Sequence, residues 1–178
     1  MTRRLLIATL ALAILCLGIG SFTAPATAAA PTRIGVFDSR AIAIAYWRSE
    51  PGMRELRGLR DEYEKAKAAN DGARVKELEQ EGPWQQVRMH QQAFSTATVA
   101  AILEKVSDRL PAVAKQAGVS AIVSKWEVPY KDGTVETVDV TLPLVRLFNQ
   151  DEQMLKMIER IESQPPVPFE KLPLDPKM

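Results

Sequence analysis

Three short β-like segments enclose a long stretch with no β signal, and this spacing constrains the fold more than any other feature. Residues 33–38 form the first segment, with Ile34 and Val36 sharing a face. Residues 120–126 form the second. In residues 134–141, Val138 and Val140 fall on one face, Thr137 and Asp139 on the other. Asp132-Gly133 supplies turn chemistry between the last two, because Gly tolerates the positive φ of tight turns. Thr141 reads as the cap of a helix opening Leu142-Pro143-Leu144, with Pro143 in the first turn, where its missing N–H costs nothing. The expected class is α+β, mostly α. A small antiparallel or mixed sheet forms the body, and a long coiled-coil-like helical hairpin is inserted into it.

The helical stretch can be read in order. A helix starts at Asp38-Ser39, with Ser39 the better cap, and carries Ala41, Ile42, Ala45 and Tyr46 at helical spacing. Pro51-Gly52 breaks it near Glu50. Met53, Leu56, Leu59, Tyr63 and Ala66 then recur at steps of three and four. That stripe is narrow, closer to a coiled-coil seam than to the wide face of a globular helix. Asn70-Asp71-Gly72 is the best turn signal. Val75 and Leu78 resume the seam, Gly82-Pro83 interrupts it, and Trp84, Val87, Gln91 and Phe94 set a shifted stripe. Arms of residues 51–70 and 73–95, at ~1.5 Å per residue, each reach about 30 Å and return the chain to where it left. Gly82-Pro83 is the alternative tip; residues 70–72 match the arms better. After a soft spot at 95–98, Val99, Ile102, Leu103, Val106 and Leu110 mark an apolar helix, kinked or restarted at Pro111 and ended at Gly118.

Beyond the sheet, Leu144, Val145, Leu147 and Phe148 begin an apolar helix, and Asn149-Gln150-Asp151 pauses it. Met154, Leu155, Ile158 and Ile161 share a face of a further helix ending near Ser163. Residues 164–178 are a Pro-rich tail that Phe169, Leu172 and Leu174 could anchor; a mobile terminus is the plainer expectation.

Residues 1–28 read as a secretory signal peptide. Arg3 and Arg4 precede an apolar run over residues 5–19, and Ala26-Thr27-Ala28 fits a cleavage site. Cys16, the single cysteine, falls in this leader, so disulfide and thiolate chemistry are not expected of the remainder. The leader holds two of the 23 basic residues and none of the 22 acidic ones, which leaves a net charge of −1. No electrostatic footprint for nucleic acid follows from that balance.

The residues give no catalytic or metal set. His90 is the sole histidine and reads as a polar helix position. Asp38-Ser39 has no base beside it, and capping explains it. Gly35, Gly52, Gly58, Gly72 and Gly82 are too scattered for a phosphate loop. We therefore expect no enzyme, no cofactor and no metal. Trp84 beside Gly82-Pro83 is the best candidate for an exposed contact, although burial against the partner helix is the plainer reading. Met53, Met89 and Phe94 suit promiscuous binding, yet helical spacing makes them seam residues first. A narrow-seamed helix pair and a three-stranded sheet with open edges bury little alone, so an obligate oligomer is expected.

The ordered plan — signal peptide, short strand, helical hairpin, strand, turn, strand, closing helix — resembles the Skp/OmpH family of periplasmic chaperones over residues 34–148. Its local carriers are Val36-Phe37-Asp38, the tip after Lys67-Ala68-Ala69, Ile122-Val123, Val128 and Tyr130, and Asp139-Val140-Thr141. The resemblance implies a periplasmic trimer associated through its sheets, with arms around a cavity that holds unfolded outer-membrane proteins without ATP. It implies a body of residues 33–50 and 96–163, within a domain of residues 29–163, and an arm of residues 51–95. On that reading Ile34, Val36, Ile122, Val138 and Val140 are the sheet and oligomer core. Met53, Tyr63, Trp84, Met89 and Phe94 are the candidate client contacts. Two departures stand out. Residues 51–95 carry eight basic and eight acidic side chains, net zero, where the family's arms are basic, which puts electrostatic capture of acidic clients and lipopolysaccharide in doubt and leaves membrane contact open. Residues 151–178 also extend past the usual family end. The rival expectation is an envelope structural or adaptor protein on the same scaffold, binding one specific folded partner.

Overall fold

The computed structural model describes residues 31–172. The expected signal peptide, Cys16 and the tail residue Leu174 lie outside the described residues. The element order is β1 (Arg33–Phe37), α1 (Ser39–Arg48), α2 (Glu50–Ala68), α3 (Gly72–Phe94), α4 (Ala100–Glu104), α5 (Leu110–Ala117), β2 (Ala121–Ser124), β3 (Glu136–Asp139), α6 (Thr141–Val145) and α7 (Glu152–Glu162). Mostly helical with one small sheet, the described chain has the expected α+β character.

The sheet is parallel throughout, in the order β2-β1-β3, which corrects the antiparallel or mixed expectation. β1 lies in the middle and pairs Gly35 with Ile122 on one side and with Val138 on the other. β2 and β3 do not touch each other. The segment between them, residues 125–135, is a crossover connection. Asp132 does make the expected turn, with the Thr134 N–H donating to its carboxylate at 2.8 Å and the Val135 N–H to its carbonyl at 3.0 Å. The turn simply sits inside the crossover, and Gly133 does not take a positive φ there. Turn chemistry cannot distinguish a hairpin from a crossover when both need a reversal.

One face of the sheet builds the core. Phe37 and Val140 are buried there, and Ile122 and Val138 pack against the same cluster as α1, α6 and α7. The register places Ile34, Val36 and Val123 on the opposite face. They are half-buried and lie outside the core cluster. Of the five expected core positions, three therefore serve the core of the chain and two form an open apolar sheet face.

Several caps differ from expectation. Asp38, not Ser39, caps α1, accepting from the Arg40 N–H at 3.0 Å. Thr141 does not cap α6: its own N–H donates to Asp139 at 2.8 Å, and its hydroxyl accepts from the Asp38 N–H at 3.0 Å. That pair ties the end of β1 to the start of α6.

The arm follows the preferred plan. Ser49 closes α1 and caps α2, with Pro51 in the first turn. Gly52 is buried against the end of α1; a Cβ there would lie 2.2 Å from the Tyr46 carbonyl oxygen. α2 and α3 run antiparallel, joined at residues 69–71, and Asn70 takes the left-handed conformation at φ 57°. The pair is laced by Arg74–Glu62 at 2.8 Å and by the Tyr63 hydroxyl on Glu79 at 3.3 Å. α3 passes through Gly82-Pro83 without a break, so the alternative tip falls away. The expected apolar helix of residues 99–117 is divided into α4, a 3-10 turn at Ser107–Arg109, and α5, which restarts beside Pro111 and ends on Gly118 at φ 65°.

α7 is capped by Asp151 and buries Leu155 and Ile158. The tail then returns: the Val167 N–H donates to the Phe94 carbonyl at 2.8 Å, and Leu172 is buried. Of the expected anchors, Leu172 is buried and Phe169, at 44 %, is exposed.

Candidate functional site

The α2 seam and the α3 stripe do not close on each other along their full length. What remains is an apolar groove in two abutting segments that share Leu56 and Met89. The arm segment, about 360 Å³, is lined by Leu59 and Tyr63 of α2 and by Leu78, Gln85 and Met89 of α3. The root segment, about 400 Å³, lies where the arm meets the body. Its lining includes Trp47, Met53, Met89 and Phe94, with Met157 and Ile161 of α7 as the far wall. Methionine is unbranched and polarisable, so a surface built from three of them adapts to differing apolar shapes.

Four of the five positions expected to contact a client divide between these segments. Tyr63 and Met89 are half-buried in the arm segment, Met89 reaching both. Met53 (44 % exposed) and Phe94 (50 %) open onto the root segment. Trp84, at 54 %, lies outside both and faces solvent, so burial against the partner helix is not its fate. Among the six large hydrophobic side chains exposed in the described residues, these three lie on the arm. Val167, another of the six, is held next to Phe94 by the tail's backbone hydrogen bond.

Two polar clusters flank the grooves. On another side of the arm root, the Tyr46 hydroxyl donates to Glu55 at 2.5 Å and Lys105 pairs with the same carboxylate at 3.1 Å. Burial and the Glu55 carboxylate together push the Tyr46 phenol above its ordinary value, so it stays a donor. Nearby, the Trp47 indole N–H donates to Gln92, whose amide donates on to the Thr98 carbonyl. These bonds fix α1, α3 and the chain after it in one arrangement.

The second cluster lies at the carboxyl ends of the strands. Asp38 is fully buried and accepts from Arg40 at 2.7 and 3.0 Å and from Lys125 at 2.8 Å. Burial raises the cost of its charge, but the hydrogen bonds and charges of Arg40 and Lys125 outweigh that and hold the carboxyl below the usual range. Arg40 also donates to the Ile161 carbonyl at 3.1 Å, and both cations lie over the Trp126 ring. Glu162 is pushed the other way, by burial first and then by the nearby charges of Asp139 and Asp38. A carboxylate saturated by two cations is an anchor for α7; it has no lone pair left for proton transfer.

Among the described residues, no group of three or more His, Cys, Asp or Glu side chains is placed to hold a metal ion. His90 lies 5.7 Å from Phe94, ring to ring, on the root groove. Sequence reasoning missed the α7 wall and the Asp38 cluster. Arg40 gave one signal for the latter, a charge directly before the apolar run of α1. Nothing in sequence marked Lys125 as its neighbour.

In comparisons with protein families, with characterised proteins and with solved structures, no match to this chain was found.

Proposed function

We propose that this protein is an ATP-independent holdase of the cell envelope that binds unfolded outer-membrane proteins between helical arms. The observation that carries the reading is the exposure of Met53, Trp84 and Phe94 along an arm whose groove is already apolar. Each contact is small, and a client touching several arms gains avidity from their number. The arms need copies for that. The open sheet face of Ile34, Val36 and Val123 is the surface we assign to self-association, with the trimer and the coiled-coil character of the arms following from the Skp/OmpH resemblance. Such a scaffold needs no catalytic group, nucleotide or metal.

The test is aggregation of a urea-diluted outer-membrane β-barrel protein, with this protein titrated in and no nucleotide present. Suppression that saturates near one oligomer per client supports the holdase reading. No suppression at several-fold excess, from a verified folded oligomer, sinks it.

A second reading, an adaptor that binds one folded partner, draws on the arm's electrostatics. Glu50, Arg54, Arg57, Glu62, Arg74 and Glu77 are spent on pairs within the arm, which leaves less free charge for loose capture. A saturable, salt-insensitive complex with one partner, and no general protection of unfolded chains, would decide for it.

A further inference from the structure

The root segment of the groove differs chemically from the arm segment. The arm segment mixes Arg60 with Glu79 and Glu81. The root segment has one charged side chain, Arg48, and one titratable neighbour, His90; no carboxylate lines it. Arg48 is exposed, and none of the ion pairs among the described residues involves it. The remaining walls are apolar, chiefly Met53, Met89, Phe94, Met157 and Ile161. These walls are helices, whose interior backbone groups are committed to their own hydrogen bonds. A polypeptide backbone buried in the root, as distinct from client side chains touching Met53 and Phe94 at its rim, would lose water from its amides with few partners in return. A hydrocarbon chain has no such groups to satisfy. At about 400 Å³ the root also falls within the ~300–1,000 Å³ range of small-molecule sites.

From this charge complementarity we infer that the arm root is a binding site for a single long-chain carboxylate, its hydrocarbon between α2, α3 and α7 and its anionic end on Arg48. α7 is essential to it, because Met157 and Ile161 close the far side and the Arg40–Ile161 hydrogen bond fixes that helix to the body. The inference does not rest on the holdase reading, since it concerns a small amphiphile and requires no client.

Trp47 lines the site, which supplies the readout. The purified protein, carrying Trp84→Phe so that Trp126 contributes only a constant remainder, is titrated with 12-bromododecanoate below its micelle concentration. Saturable quenching of Trp47 at one ligand per chain is expected. Extending the unbrominated competitor from eight to ten carbons should tighten it roughly tenfold, from about 0.8 kcal/mol per buried methylene. Arg48→Glu should weaken binding about tenfold, and Met157→Asp should abolish it. Should Met157→Asp fail to fold by circular dichroism, Met53→Glu at an exposed rim position takes its place. Equal quenching by bromododecanol would remove the role of Arg48 and overturn the proposal. So would quenching that never saturates, quenching seen only with brominated phosphatidylglycerol vesicles, or stronger competition by an apolar octapeptide than by dodecanoate.

Discussion

Asp38 is the residue on which most of the body converges. It caps α1, pairs with two cations and is fully buried. Replacing it by Asn would leave Arg40 and Lys125 facing a neutral group, and we expect Asp38→Asn to cost about 3–5 kcal/mol in urea unfolding at pH 7. The sign of the pH dependence follows from its lowered value. The ionised form is favoured more in the folded state, so its contribution is complete above the unfolded value of roughly 3.9 and disappears as pH falls through the lower folded value. The gap between parent and variant should therefore narrow below about pH 3. Glu162 has the opposite sign. Its carboxyl is raised in the fold, so its charge is a burden once pH exceeds the unfolded value near 4.3. Glu162→Gln should raise the melting temperature at pH 7 and leave it unchanged near pH 3; equal melting temperatures at both would contradict the placement of Glu162.

At the scale of elements, the joint between α1 and α2 is the tightest point. A Cβ at Gly52 would collide with the Tyr46 carbonyl oxygen and lie 2.9 Å from the Trp47 Cα, both backbone atoms that cannot swing aside. Gly52→Ala should cost roughly 1–3 kcal/mol, the usual range for overpacking, and should show as earlier melting with faster amide exchange in α1 and α2. The sequence could announce this joint, because Pro51-Gly52 is local chemistry. The same holds for Asn70, for Gly118 and for the Leu155–Ile158 face, each set by residues a few positions apart. What could not be read was non-local. Strand direction depends on which partner lies across 80 residues or more, and the two parallel ladders are fixed by burial of Phe37, Ile122 and Val138 against helices. The groove was legible in its residues but not in its layout: Trp84, whose plainer reading is burial against a helix, faces solvent, while Met157 joins the groove from a helix read only for its buried face.

At the scale of the molecule, the proposal stands on self-association. Ile34 pairs with Ala121 and Thr137, both exposed, so a charge at this position meets no buried neighbour within the chain. Ile34→Lys should keep the circular dichroism spectrum and lower the mass in light scattering to that of one chain. A parent protein already monomeric at micromolar concentration would remove the basis for both proposed functions. The layout also has a temporal side. β1 precedes the arm, yet its partners arrive only with residues 121–124 and 136–139. The arm can fold from neighbours in sequence while β1 waits with both edges unsatisfied. Closing such long loops is slow, and the waiting strand is prone to mispairing. A protein proposed to shield unfinished β-strands in others would thus spend its own synthesis with one of its own unprotected.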